Sequence, residues 1–257
     1  MQNAEQEMST KFYPLPCMFT IASLFCGFYS IIASIKGDFF VAAIAIIVAA
    51  VFDGLDGRVA RMTNTTSLFG KELDSLCDVV SFGVAPGILA YYWALLPYGR
   101  YGWLAAFLYV ATTTLRLARF NSQKTSSKYF TGLPCPAAAG ALSASVLFCN
   151  FLGLEEAVTH ISLLLLVYLL SYLMVSNHRY HSFKQPPQAG KIRTFQLMVA
   201  AVLLFVLIAA EPQVMLFVLA VLYVPSGPLY GIFRLIRRRS ARHEEGEPIK
   251  EHYRDTP

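Results

Sequence analysis

Long apolar stretches, separated by short polar segments, run through most of the chain. We mark eight of them, at about residues 16–35, 39–57, 74–96, 102–120, 135–152, 158–175, 194–210 and 213–232. Each is close to the roughly 20 residues that a helix needs to cross the hydrocarbon core of a bilayer. The pattern predicts an all-α, polytopic membrane bundle of about eight transmembrane helices. We expect three regions: a cytoplasmic N-terminal segment (1–15), a transmembrane domain (16–232) and a basic, polar cytoplasmic tail (233–257).

Composition and charge agree with a membrane solvent. Apolar residues make up 56% of the chain and charged residues 14%, which is atypical of a water-soluble globule of this length. If the N-terminus is cytoplasmic, all of the 21 Lys and Arg residues except Lys36 and Arg100 fall in cytoplasmic segments. This asymmetry predicts cytoplasmic termini. It also explains the net charge of +5 beside an anionic leaflet, without nucleic acid as a partner.

One polar stretch, from Val51 to Gly83, interrupts the apolar pattern. If its first part is helical, a spacing of i, i+3, i+4, i+7 and i+8 places polar and small residues in one stripe along a helix face. They are Asp53, Asp56, Gly57, Ala60 and Arg61. A second stripe at i, i+4 and i+8 of the next helix consists of Gly70, Asp74 and Asp78. With a turn between the helices, the stripes are expected to face each other at the cytoplasmic end of the bundle.

Four facing carboxylates repel one another unless cations lie among them. Oxygen ligands without His or Cys suit a hard divalent ion such as Mg²⁺ or Mn²⁺, which commonly works with phosphate-bearing substrates. Two other interpretations remain open. In one, Arg58 and Arg61 neutralise a buried ion-pair cluster that only joins helices; in the other, the acids belong to a cation channel or transporter.

The polar stretch resembles a known signature. The pattern Asp53-x2-Asp56-Gly57-x2-Ala60-Arg61-x8-Gly70-x3-Asp74-x3-Asp78 matches that of the CDP-alcohol phosphatidyltransferases at every fixed position. The blocks "SFGVAPG", "RLARFN", "FTGLPCPAAAG" and "LMVSNHRYHSFK" resemble the phosphatidylserine synthase branch found in bacteria and archaea, and the similarity covers residues 14 to about 190. Cys17 and Ser23 depart from it, because asparagine is expected at both positions.

The resemblance implies a phosphatidyl transfer from CDP-diacylglycerol to an alcohol, with release of CMP, in a prokaryotic cytoplasmic membrane. It implies a two-metal site in which Asp53, Asp56 and Asp74 hold one ion, Asp74 and Asp78 reach the other, and Asp78 is also the general base. A homodimer is expected from the family. The residues implied for CDP-diacylglycerol are Thr20, Asp56, Gly57, Ala60, Arg61, Ser67 and Gly70.

The branch implies L-serine as the acceptor, with glycerol 3-phosphate, inositol phosphate or choline as alternatives. Serine carries a carboxylate, which needs a cation. Arg116 and Arg119, followed by Asn121, are the best candidates, and Lys184 belongs to a second polar cluster. Simple snorkelling of these basic side chains to the interface is the competing interpretation.

The remaining motifs have structural interpretations. "TGLPCPAAAG" is expected to begin the fifth helix, with small residues for tight packing. Without C-x-x-C pairing, the cysteines are interpreted as buried small apolar residues; they are Cys17, Cys26, Cys77, Cys135 and Cys149.

Overall fold

A computed structural model describes residues 14–63, 67–122, 130–153, 159–176, 179–180, 199 and 211–227. Its helices are α1 (Pro14–Ile35), α2 (Phe39–Met62), α3 (Leu68–Tyr98), α4 (Arg100–Ser122), α5 (Cys135–Phe151), α6 (Thr159–Val175) and α7 (Pro212–Gly227). A two-residue antiparallel pair, β1 (Phe130–Thr131) with β2 (Arg179–Tyr180), accompanies them. The all-helical prediction is confirmed, and this short pair is the one element among the described residues that it did not include.

Within the described residues, three helices are long and apolar enough to cross a membrane: Pro16–Ile35, Phe39–Met62 and Leu68–Tyr98. Shorter apolar helices are Cys135–Phe151, Ile161–Val175 and Pro212–Gly227. Large apolar side chains on α1 point outward, with Met18 69% and Phe25 67% exposed, as expected of a surface that lipid covers. The chain is therefore consistent with an integral membrane protein. The predicted span at 194–210 lies outside the described residues apart from residue 199, and the count of eight stays a prediction.

Small residues allow the helices to approach closely at the centre of the bundle. α1 packs along α2, α2 packs against α5, and α4 packs against α6. The α2 face is built from Ala42, Ala43, Ile46 and Ala49, all fully buried. Ala138, Ala139 and Leu142 are fully buried on α5. Such alanine surfaces bring backbones close enough for dispersion contacts to hold helices together where lipid removes the hydrophobic driving force.

Helix α3 contains two π-helical segments along its length. It is α-helical from Leu68 to Asp78, π-helical over Val79–Val84 and again over Tyr91–Leu95. The first π segment meets α1 at Gly27, where an added Cβ would lie 2.6 Å from Ser81 Oγ and 2.7 Å from Ser81 Cα. The Ser81 hydroxyl also donates to the Ser23 carbonyl across the same contact, at 3.1 Å. The backbones of α1 and α3 therefore touch one turn beyond Asp78.

The start of α5 is held by a close contact with the end of α6. Gly132 has φ +83°, and a Cβ there would clash with the carbonyl oxygen of Met174. The next amide, that of Leu133, donates to the Leu173 carbonyl at 3.0 Å. Pro134 precedes the first helical residue, Cys135, with a φ suited to a helix start. The segment "TGLPC" thus begins α5 as the sequence predicts, and fixes where Cys135 lies.

Replacing Gly27 with alanine should weaken the α1–α3 contact, because backbone atoms of Ser81 leave no room for a methyl group. We expect a loss of about 1–3 kcal/mol, seen as a fall of several degrees in the apparent Tm of the detergent-solubilised protein. Gly140→Ala is the matched control, since its added Cβ meets nothing within 4 Å. Equal Tm values for the two variants would contradict this account of the contact.

Candidate active site

The two aspartate stripes come together where the C-terminal half of α2 faces the first turns of α3. The carboxylates of Asp53, Asp56 and Asp74 each offer one oxygen atom, and these three oxygen atoms lie within 4.8 Å of one another. The Asp78 carboxyl interacts directly with that of Asp53 and is close to that of Asp74. All four acidic side chains of the motif therefore share one site.

Among the described residues, no arginine contributes to the immediate surroundings of the α2 carboxylates. The groups that act on Asp53 and Asp56 are the other carboxyls, the Thr20 hydroxyl and the Gly57 backbone. Arg61 instead donates its Nε to the Gly57 carbonyl at 2.8 Å, along its own helix. This arrangement argues against a cluster that Arg58 and Arg61 neutralise as structural ion pairs.

The donor set fits a divalent cation. Asp56 is 6% exposed and accepts a hydrogen bond from Thr20 Oγ1 at 2.8 Å, which orients its carboxylate from α1. Asp74 Oδ1 is buried and has no hydrogen-bond partner among the described residues. Oxygen atoms around one hard ion at about 2.0–2.6 Å are themselves separated by roughly 3–5 Å, which is the spacing found here. The family to which the motif points uses a divalent metal, and these carboxylates are the residues that would hold it.

Open space adjoins the carboxylates on the α2 side. A Cβ added to Gly57 would meet no atom within 4 Å, and Ala60, one turn on, is only half-buried. The exposed Arg61 side chain lies beside this space because its Nε is bound to the Gly57 carbonyl. A phosphate-bearing group can therefore approach the backbone of α2 next to the acids and a guanidinium.

Ser67 and Gly70 build the start of α3. Ser67 is the N-cap residue, and its Oγ accepts from the Gly70 amide at 3.0 Å. A Cβ on Gly70 would lie 3.2 Å from that oxygen, so the glycine leaves room for the cap. Both residues thus position the helix that carries Asp74 and Asp78.

The end of α4 closes another side of the site. Asn121 Nδ2 donates to Ser75 Oγ at 2.9 Å, next to Asp74 in the chain. Arg116 donates from Nη1 to Cys135 Sγ at 3.3 Å. Asn121 Oδ1 and Arg116 Nε are buried, and neither has a partner within the described ranges. Arg119 is exposed one turn further on. The fourth candidate, Lys184, lies outside the described residues.

The two departures from the family pattern take part in helix packing. Ser23 is 2% exposed and donates to the Ala49 carbonyl of α2 at 3.0 Å. Cys17 is 4% exposed. Both side chains are therefore buried within the bundle.

Two residues near Arg116 were not predicted from the sequence to lie at the site. Cys135 is buried as predicted, but it also accepts a hydrogen bond from Arg116 and lies within electrostatic range of Asp78. Tyr223, on α7, lies within electrostatic range of Arg116. No local motif marks either residue; the block "GLPCP" was the available signal for Cys135, and helix packing alone brings Tyr223 to this place.

Comparison with known proteins agrees with the geometry. The family model for CDP-alcohol phosphatidyltransferase matches residues 13–168, which include every helix that contributes a carboxylate. The chain belongs to the CDP-alcohol phosphatidyltransferase family, and is a transferase of that class.

Three relatives illustrate the similarity, which extends over much of the chain. A protein of Helicobacter pylori strain 26695, named CDP-diacylglycerol–serine O-phosphatidyltransferase, is 40% identical over 88% of this chain and 94% of its own length. A Bacillus subtilis protein of the same name is 36% identical over 66% of this chain and 92% of its own length. An archaetidylserine synthase of Methanothermobacter thermautotrophicus is 39% identical over 66% of this chain and 71% of its own length.

The hydrogen bond from Thr20 to Asp56 generates a prediction about metal affinity. Thr20→Val keeps the shape of the side chain but leaves Asp56 without its one side-chain donor from α1. Because partners that orient a metal ligand typically contribute 10- to 100-fold in affinity, we expect Mn²⁺ binding to weaken by about 10-fold. Electron paramagnetic resonance of free Mn²⁺ measures this directly, without turnover. Thr20→Ser, which retains the hydroxyl, should bind Mn²⁺ like the unaltered protein, and equal affinity of the valine variant would contradict the prediction.

Proposed function

We propose that this protein is a phosphatidylserine synthase: it transfers the phosphatidyl group of CDP-diacylglycerol to the hydroxyl of L-serine and releases CMP. The observation that carries the proposal is the cluster of four carboxylates on α2 and α3. Cys135, which accepts a hydrogen bond from Arg116, lies within electrostatic range of Asp78 in that cluster. The names and similarity of the relatives support serine over other alcohols. A phosphorylated acceptor would need more cations beside the acids than the described residues offer there.

We assign Asp53, Asp56 and Asp74 to one divalent ion, Mg²⁺ or Mn²⁺, and Asp74 with Asp78 to a second. When bound, such ions neutralise charge on the diphosphate and help align the reacting oxygen and phosphorus. The unpartnered Oδ1 of Asp74 supports a shared ligand, because a buried carboxylate oxygen without a donor is costly unless a cation fills its place.

Substrate binding falls to the open side of α2. Gly57 and Ala60 let the CDP group approach the backbone, and Arg61 supplies a guanidinium for its phosphates. Thr20 orients Asp56, while Ser67 and Gly70 act mainly through the start of α3. The resemblance implies Thr20, Ser67 and Gly70 as contacts of CDP-diacylglycerol. We assign them mainly to holding the carboxylates in place.

The chemical step forms one bond and breaks another at the same phosphorus. The serine hydroxyl oxygen attacks the phosphorus that carries the diacylglycerol group, and the anhydride bond to CMP breaks with its electron pair. Asp78 accepts the hydroxyl proton or orients the hydroxyl for attack. Its position next to Asp53 and near Asp74 supports this role, because it belongs to the same carboxylate cluster as the proposed metal ligands.

Recognition of serine requires a cation for its carboxylate and acceptors for its ammonium group. In the described part of the chain, the buried Nε of Arg116 and the buried carbonyl oxygen of Asn121 each have no hydrogen-bond partner. The two groups complement the two charges of the amino acid. Arg119 adds positive charge at the entrance, and Lys184 remains a proposed contributor from outside the described residues.

We further propose about eight spans within residues 16–232, with both termini and the active site on the cytoplasmic side of a prokaryotic membrane, and a homodimer as the assembly. The distribution of Lys and Arg supports the orientation. Access to a cytoplasmic nucleotide–lipid headgroup requires the carboxylates at that face.

The function is tested by CMP release from purified protein in detergent. With CDP-diacylglycerol, Mn²⁺ or Mg²⁺ and L-serine, we expect stoichiometric CMP and phosphatidylserine, and chelation of the metal should stop both. Glycerol 3-phosphate, inositol phosphate and choline are assayed in parallel. CMP with one of these but not with serine would reject the acceptor, and no CMP with any alcohol would reject the enzyme class.

Asp78→Asn should abolish turnover while leaving a folded protein, because the amide removes both a proposed metal ligand and the group that receives the proton. We expect a fall in kcat of at least about 10²-fold, the lower range for loss of acid–base catalysis. Glu72→Gln is the matched control: it neutralises an exposed acid on the same helix and should leave kcat unchanged. Substantial activity of the Asp78 variant, or an equal loss in the control, would remove Asp78 from this role.

A further inference from the structure

We propose that Cys135 is a positioning residue for the acceptor: its sulfur holds the Arg116 guanidinium in the orientation that receives the serine carboxylate. The proposal rests on the proposed function and deepens it, since the motif that defines the family does not include this residue. Under this proposal Cys135, a buried side chain at the start of α5, determines the affinity for serine and does more than pack helices.

The contact between the two side chains is specific. Arg116 Nη1 donates to Cys135 Sγ at 3.3 Å, while Arg116 Nε is buried and has no partner among the residues that the structure describes. A guanidinium is planar, so anchoring one terminal nitrogen leaves a single rotation for the rest of the fork. The remaining donors are thereby presented in a fixed plane. Buried charged donors are rarely left without an acceptor, which indicates that a ligand supplies one.

Cys135 is itself held firmly. It is fully buried at the first position of α5, and the preceding residues are fixed by the Gly132 contact with Met174 and the Leu133–Leu173 hydrogen bond. On its other side it is within electrostatic range of Tyr109, whose fully buried hydroxyl has no partner in the described part of the chain. A sulfur that cannot move is able to fix a side chain that otherwise has several rotatable bonds.

The chemistry of the anchor matters as much as its position. A carboxylate at this position would pair with Arg116 in a bidentate manner and compete with the substrate for it. A thiol is a weak, neutral acceptor, so it directs the guanidinium without neutralising it. Cys135 is also in range of Asp78, so the guanidinium it holds belongs to the same site as the carboxylates. The positive charge stays available close to the proposed base.

The alternative is that Cys135 only fills space at the start of α5. Both interpretations expect some loss of stability on truncation, so stability alone does not separate them. They differ in which substrate is affected. A space-filling residue influences both substrates or neither, whereas a residue that orients Arg116 influences only an acceptor that carries a carboxylate.

The test compares Cys135→Ala with Cys135→Ser in the full-length protein, with Cys149→Ala, near the other end of α5, as the matched control. Turnover is measured with L-serine and with ethanolamine, which is serine without its carboxylate. We expect Cys135→Ala to raise KM for serine by about 5-fold or more, the effect of losing one hydrogen bond to a charged group. KM for CDP-diacylglycerol and kcat/KM for ethanolamine should stay within about 2-fold. Cys135→Ser retains an acceptor and should restore serine KM to within about 3-fold of the unaltered protein.

A double-variant cycle provides a second readout. If Cys135 acts through Arg116, adding Cys135→Ala to Arg116→Lys should raise serine KM no further, because lysine lacks the fork that sulfur orients. An additive effect, equal losses with serine and ethanolamine, an unchanged serine KM in Cys135→Ala, or no rescue by serine at position 135 would each overturn the proposal. Failure of the unaltered protein to use serine at all would instead reject the proposed function.

Discussion

The mutual repulsion of four closely placed carboxylates is the constraint on which the rest of this structure depends. Helices α2 and α3 bring Asp53 and Asp56 against Asp74 and Asp78, with no arginine between them among the described residues. Four such carboxylates can all remain ionised only when cations join them, so without cations the helices must be kept together by other contacts. The fully buried alanine faces of α2 and α5 and the backbone contact between Gly27 and Ser81 provide those contacts. Helix packing outside the site thus compensates for the unbalanced negative charge of the carboxylates within it.

The site is divided between two kinds of support. The proposed donor side rests on local features of α2 and α3, namely a glycine beside open space and a serine cap, which a short motif is able to encode. The proposed acceptor side rests on contacts between distant parts of the chain: Asn121 with Ser75, and Arg116 with Cys135. The first is compact in sequence, whereas the second is assembled from several helices.

The sequence predicted the parts whose signal is local. Helical spacing in Val51–Gly83 was sufficient to place the four acids on facing stripes, because the period of a helix fixes which residues share a face. The same reasoning did not bring Cys135 or Tyr223 to Arg116, because that proximity depends on which helices pack together. The resemblance implied Ser67 and Thr20 as contacts of CDP-diacylglycerol, and in the structure their hydroxyl groups engage the Gly70 amide and Asp56. The short β1–β2 pair has too few residues to leave a periodic pattern.

The π-helical segment Val79–Val84 has a consequence for how this chain tolerates insertions and deletions. A π turn accommodates one residue more than the α-helical turn on either side of it. Removing a single residue there would let α3 continue as a regular helix with all its backbone hydrogen bonds. Because the wider turn absorbs that extra residue, its loss would leave the part that carries Asp74 and Asp78 facing α2 nearly as before. A deletion in one of the regular α-helical turns on either side has no such compensation, since it rotates the two parts of the helix by about 100° relative to each other. Loss of one residue should therefore be far more acceptable within Val79–Val84 than in the α-helical turns beside it.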